Sequence, residues 1–311
     1  MTPKPKIFFI GVGNMGHPMA MNLLGAGYAL TVHDLNPVKA NQLLEQGAHW
    51  ADTVAQGMSD ADVVLCSLPG PPQVEQVMLG DGGVCHHLSE GMVVIDTSTS
   101  SVELGKRLEA AAQARGASFL EAPITNATDG ARDGTLSIFV GGDPSAYNEC
   151  MPIFQTVGEK IFHVGPVGNG ATVKLLTNLL WFVSAATIGE ALMLGAKAGV
   201  PLHTVWEAIK ASAGNSWVVE HDVPSIFAGH YDPSFSLALC CKDLQLINQI
   251  AEQQGYSLTM GQFALAQFEK ARQLYGSEAA ELHVVKMLEE RVGLLLRPPH
   301  GQAMTAVHHG P

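Results

Sequence analysis

Two kinds of apolar pattern alternate through the first half of the chain, and only one persists in the second. Short continuous apolar runs rich in β-branched and aromatic residues recur at 6–10, 29–32, 63–67, 93–96, 118–120 and 138–140. Runs of that kind predict strands buried on both faces. Between them, apolar residues return at helical spacing up to Leu24, near 38–46, near 72–78 and near 101–115. Such alternation predicts an α/β domain over residues 1–165, built on a doubly wound parallel sheet. Past Gly165 no β-rich run returns. Helical patterns at 171–198, 202–212, 240–254, 261–274 and 279–291 predict an all-α domain over 166–295. Residues 296–311 are rich in Pro, Gly and His, and are expected to be a disordered tail.

The stretch from Gly168 to Gly199 predicts one long helix joining the two domains. The glycines at its start free the backbone to turn, and Gly199-Val200-Pro201 ends it. About 28 helical residues make a rod about 42 Å long. The uncharged run from Leu175 to Gly189 is shorter than the roughly 18 to 20 residues that a bilayer demands. The expectation is therefore a helix of a soluble protein, buried on most sides, with no membrane partner. Lys174 and Asn178 are four apart and share one face. Lys174 is then either a buried functional group or a side chain at the helix start reaching out to water.

The first strand runs straight into Gly11-x-Gly13-x-x-Gly16, and a second strand ends at Asp34. This strand, glycine turn, helix and strand unit is the opening of a Rossmann fold that holds a dinucleotide. Gly11 makes the tight turn, Gly13 lets the backbone approach a pyrophosphate, and Gly16 lets the helix pack close. Asn14 and Met15 complete the loop. A carboxylate at Asp34 accepts the adenosine ribose hydroxyls and repels a 2′-phosphate, which predicts NAD rather than NADP as cofactor. Three further segments leave strands at the same sheet edge: Leu68-Pro69-Gly70, Asp96 to Thr99, and Ala122 to Ala127. Each is ordinary turn composition alone, but together they frame a ligand edge.

Composition narrows the partners. Among 311 residues, 47% are apolar and only 15% charged, too few charges to cover two separate lobes. A homodimer or homotetramer joined through residues beyond 165 is expected. A net charge of −12 argues against nucleic acid and acidic membranes, while leaving room for a small anionic substrate. The five cysteines form no C-x-x-C pair, which fits a reducing, cytoplasmic setting. The thirteen histidines show no ligand spacing, so no metal is expected.

Taken jointly, these pieces resemble the β-hydroxyacid dehydrogenases, the group of 3-hydroxyisobutyrate dehydrogenase, tartronate semialdehyde reductase and 6-phosphogluconate dehydrogenase. The resemblance lies in I-G-V-G-N-M-G-H-P-M-A-M-N-L, in Leu68-Pro69, in D-T-S-T at 96–99 and in the run from Ala122 to Leu136. It continues through G-N-G-A-x-x-K-x-x-x-N at 168–178 and Lys242-Asp243-Leu244. It implies that Lys174 is the catalytic acid/base and that Asn178 holds the substrate. It places Thr99 and Lys242 near the nicotinamide, and Thr125, Asn126 and Ala127 around the substrate's acidic group. Hydride transfer to or from an alcohol needs a partner for the hydroxyl proton, and a lysine serves both directions. As an ammonium it also stabilises the carbonyl oxygen as hydride arrives.

Two departures bear on the substrate. Thr125-Asn126-Ala127 stands where the family usually has Ser-Gly-Gly, and Thr177 replaces the first of two adjacent asparagines. Side chains at 126 and 127 suit either an ordinary 3-hydroxyacid or another head group such as a sulfonate. Reduction of a non-carboxylate aldehyde or an imine on the same scaffold is the competing enzymatic reading. A dinucleotide-binding protein without catalysis is the reading from another class.

Overall fold

A computed structural model describes residues 3–297, and the chain divides into two compact units, residues 1–176 and 177–311. The first unit runs β1 (Ile7–Ile10), α1 (Gly16–Gly25), β2 (Leu30–His33), α2 (Asn41–Glu45), β3 (His49–Trp50), α3 (Val54–Met58) and β4 (Val63–Cys66). It continues with α4 (Pro71–Leu79), α5 (Val84–His87), β5 (Val93–Asp96), α6 (Val102–Gln113), β6 (Ser118–Glu121) and β7 (Ile124–Thr125). It ends with α7 (Ala127–Asp133), β8 (Leu136–Gly142), α8 (Pro144–Val157), β9 (Gly158–Gly165) and the start of α9 (Asn169–Lys197). The second unit is helical: the rest of α9, then α10 (Leu202–Lys210), α11 (Trp217–Ala228), α12 (Leu237–Gln253), α13 (Thr259–Tyr275) and α14 (His283–Val292).

The sheet order is β3-β2-β1-β4-β5-β6-β8-β7, with β9 on β8. Strands β3 to β6 along that order are parallel, as the continuous apolar runs imply. β8 departs from expectation: it runs antiparallel to β6 and β7. A parallel return needs a crossover of about a dozen residues or more, and the short segment carrying α7 returns the chain antiparallel instead. Two apolar layers cover the sheet. Phe9, Met19, Leu23 and Phe154 lie in one, and Phe8, Ile10, Val74 and Leu104 in the other.

Three sequence expectations need correction. The helical pattern at 38–46 is broken into a 3-10 turn, Pro37–Ala40, and the five-residue α2. The long helix α9 is not buried on most sides: a third of its most apolar 18-residue window is buried inside the chain. Its exposed side carries Leu176, Leu180 and Leu194. By length and composition alone it would pass for a membrane span. The expected disordered tail lies mostly outside the described residues, but its first two residues are docked. Leu296 is buried, and its N–H donates to Glu289 Oε1 at 2.7 Å. Arg297 donates to the same oxygen at 2.8 Å and to the Ile226 carbonyl at 2.7 Å.

Candidate active site

In the first unit the carboxyl ends of β1, β4, β5 and β6 stand side by side, with Ile10, Cys66, Asp96 and Glu121 in one row. The glycine turn leaves β1 at this edge. Gly11 has φ +90°, and a Cβ there would come 2.4 Å from the Ser67 carbonyl oxygen. A Cβ at Gly16 would come 1.9 Å from the Gly11 carbonyl oxygen. Gly13 differs: a Cβ there would meet nothing within 4 Å. The outer glycines are therefore required by the protein's own packing, and the middle one faces open space where a pyrophosphate would lie. Asn14 is exposed and Met15 half-buried on that loop. Met15 provides no side-chain cap for α1, which leaves the helix N-terminus available to an anion.

Asp34 stands immediately after β2, one residue past the strand end, and has a further role. Its Oδ2 accepts the N–H of Val12 at 3.0 Å, inside the glycine turn, and its Oδ1 accepts the N–H of Asn36 at 2.9 Å. The carboxylate thus fixes the loop, and its remaining lone pairs are the ones open to a ribose. Lys39 Nζ lies 3.9 Å from Oδ1, close enough to temper the carboxylate's repulsion of a phosphate.

The neighbouring loops are held by their own polar groups. Leu68 donates its N–H to Ser98 Oγ at 2.9 Å, and Thr97 donates to the Cys66 carbonyl at 2.7 Å. Ser98 donates its N–H to Asp96 Oδ1 at 3.0 Å. These bonds bring Leu68 and exposed Pro69 beside the segment that ends at half-buried Thr99. At Thr125-Asn126-Ala127 the backbone keeps a glycine-like course: Asn126 has φ +91° and Ala127 φ +55°. The Asn126 amide is engaged, donating to the Thr135 carbonyl at 3.1 Å and to Ser137 Oγ at 3.3 Å. It braces the loop against β8.

Glu121, which the sequence reading passed over, organises the start of α9. It is buried, and its Oε1 accepts the N–H groups of Gly168 at 2.6 Å and Gly170 at 2.7 Å. These are orphan donors at a helix N-terminus, and a carboxylate also suits the helix dipole there. A Cβ at Gly141 would come 2.4 Å from the same oxygen, so the pocket exists because glycine lines it. Burial pushes the Glu121 carboxyl up to about 7, although the N–H groups of Gly168, Gly170 and Ala171 pull it the other way. Lys174, one turn further along α9, is only 7% exposed, which excludes the reading of a lysine reaching out to water.

In the second unit Asn178, 2% exposed, donates its amide to Asp243 Oδ2 at 2.7 Å. Asp243 is fully buried, and its Oδ1 lies 3.1 Å from Lys242 Nζ. Asp243 therefore orients both Asn178 and Lys242. The sequence marked it only as the neighbour of Lys242.

The fold and the glycine cradle define a dinucleotide-binding oxidoreductase. The family model described as the NAD binding domain of 6-phosphogluconate dehydrogenase matches residues 6–165. That described as NAD-binding of NADP-dependent 3-hydroxyisobutyrate dehydrogenase matches residues 168–288. The NAD-dependent L-serine dehydrogenase of Pseudomonas aeruginosa is 36% identical, over 84% of this chain and 90% of its own. The 2-hydroxy-3-oxopropionate reductase of Escherichia coli is 35% identical, over 79% of this chain and 84% of its own. A solved structure of Mycobacterium tuberculosis 3-hydroxyisobutyrate dehydrogenase with L-serine superposes with a TM-score of 0.84 at 29% identity, covering 92% of this chain and 99% of that one. The chain belongs to the β-hydroxyacid dehydrogenase family, whose members are NAD(P)-dependent.

Proposed function

We propose that this protein transfers a hydride between NAD and a small anionic β-hydroxyacid or its semialdehyde, with Lys174 as the general acid/base. The observation that carries this is the burial of Lys174 and Asn178 one turn apart on α9. A lysine withdrawn from water has a desolvation cost to offset, and a reacting hydroxyl gives that cost a use. NAD bound at the glycine cradle supplies the hydride acceptor or donor. Gly13 and the start of α1 hold the pyrophosphate, and Asp34 holds the ribose. Lys174 takes the hydroxyl proton in oxidation and returns it in reduction, and Asn178, oriented by Asp243, anchors the substrate by a neutral hydrogen bond.

The named activities of the relatives, on L-serine and 2-hydroxy-3-oxopropionate, support an acid of this size. The loop at Asn126 favours the ordinary carboxylate over a sulfonate, because the Asn126 amide is spent on Thr135 and Ser137 while the backbone keeps its glycine-like turn. A panel of short-chain carboxylate, sulfonate and neutral aldehydes together with imines, at fixed NADH, tests this. Turnover confined to the sulfonate, to neutral aldehydes or to imines would sink the β-hydroxyacid reading, and no turnover at all would favour a binding protein. The exposed leucines of α9 support a homodimer or homotetramer, which a sedimentation run showing only a monomer of 32.9 kDa would contradict. The five free cysteines support a cytoplasmic setting.

A further inference from the structure

The helical unit holds a second set of ionisable side chains that the proposed reaction does not use. Asp222 lies within α11, Asp232 in the loop that follows, and Glu281 just before α14. One carboxylate oxygen from each lies within 4.8 Å of the other two. Asp222 is 0% exposed and Glu281 1% exposed. The chain reaches this arrangement through Tyr231 and Asp232, both left-handed at φ +58° and +48°.

The hydrogen bonds around the cluster are one-sided. Asp222 Oδ2 accepts the indole N–H of Trp181 at 3.1 Å, and Asp232 Oδ1 accepts the N–H of Ser234 at 3.0 Å. Asp222 Oδ1 and both oxygens of Glu281 are buried without a hydrogen-bond partner among the described residues. Buried polar atoms are ordinarily satisfied, so unpartnered oxygens on converging carboxylates point to a missing positive ligand. Burial, and then the neighbouring acids, push Asp222 up to about 7 and Glu281 well above the usual carboxylate range.

We propose that Asp222, Asp232 and Glu281 form a binding site for one hard divalent cation, with Glu281 offering both oxygens. The donor set is oxygen only, without imidazole or thiolate, which selects Ca2+, Mn2+ or Mg2+ over zinc or copper. Carboxylate bonds of roughly 2.3 to 2.6 Å to Ca2+ reach across a cluster of this span. Bound there, the cation ties α11, the loop after it and the start of α14 together.

The test uses the full chain, stripped with EDTA and titrated separately with Ca2+ and Mn2+. Calorimetry should give one site per chain, indole emission should change through Trp181, and the melting temperature should rise by about 3 °C or more at saturation. Glu281→Gln and Asp222→Asn keep the shape and remove a ligand charge. Each should weaken binding at least about tenfold without loss of the helical circular-dichroism signal. The proposal is overturned if neither ion binds the wild-type chain, or if both variants bind as wild type does. Should wild type bind neither ion while Glu281→Gln melts higher, protons neutralise the cluster, and the cation site is equally excluded. A variant that fails to fold leaves the wild-type titration to decide.

Discussion

The carboxylate of Glu121 accepts the N–H of Gly168 at 2.6 Å, and so closes the N-terminus of the helix that carries Lys174. Its proton affinity is raised from 4.5 to about 7 in the folded chain. The folded state therefore binds the proton more tightly than the unfolded one between those values. By linkage, the stability that this group contributes is fully present below pH 4.5 and is lost as pH rises through about 7. The upper limit is about 3 kcal/mol. Calorimetric melting between pH 5 and 8 should show this decline, and Glu121→Gln should flatten part of it and melt above wild type at pH 8. A Glu121→Gln profile parallel to wild type would remove Glu121 as the source.

Lys174→Ala should lower kcat by roughly 10² to 10⁴ while NADH still binds. Stopped-flow turnover alongside a fluorescence titration of NADH separates the two effects. Near-normal turnover would end the acid/base assignment, whatever the burial of the side chain.

Cofactor preference turns on the pair Asp34 and Lys39. The lysine 3.9 Å from the carboxylate softens discrimination, so NADH should lead NADPH by about tenfold to a hundredfold in kcat/KM, or ~1.4 to 2.7 kcal/mol. Lys39→Ala should widen that lead by a few-fold, a modest change because the side chain is half exposed. Asp34→Ser should turn preference toward NADPH and also lower overall cofactor affinity, since Asp34 braces the glycine turn through Val12. Equal use of both cofactors by the unmodified enzyme would mean that Asp34 does not meet the ribose.

Ala127 and Asn126 share a left-handed backbone for different returns. Ala127 gains no side-chain hydrogen bond for the strain, so Ala127→Gly should stabilise the fold by ~0.5 to 1 kcal/mol. Asn126→Gly loses the two amide bonds to Thr135 and Ser137 and should be neutral or destabilising. Urea midpoints of the two variants check the ordering.

What could be read from sequence follows from how each element is built. β1, β4 and β5 are buried throughout, so their unbroken apolar runs announce them. β3 and β7 have two residues each and carry no period. β9 is half exposed, and Glu159, Lys160 and His163 interrupt its apolar run. α8 and α11 carry Pro152 and Pro224 in their interiors, residues that ordinarily end a helix and interrupt its pattern, and the fold tolerates them there. The glycine turn, Asp34, Lys174 and Asn178 stand out because each breaks its local pattern. Glu121 and Asp243 do not: their meaning lies in partners far along the chain, Gly168 and Gly170 for one and Asn178 for the other. No local spacing encodes those pairs.

The three glycines of the first turn answer to different judges. A side chain at Gly11 or Gly16 collides with the chain's own carbonyl oxygens, so the protein rejects it whether or not cofactor is present. At Gly13 the chain has no objection of its own, and only the cofactor can lodge one. Mutational tolerance at Gly13 is thus a record of what the molecule must hold, kept apart from what it must do to fold. A library selected only for soluble expression would lose Gly13 freely, and one selected for growth that depends on the enzyme's turnover would keep it.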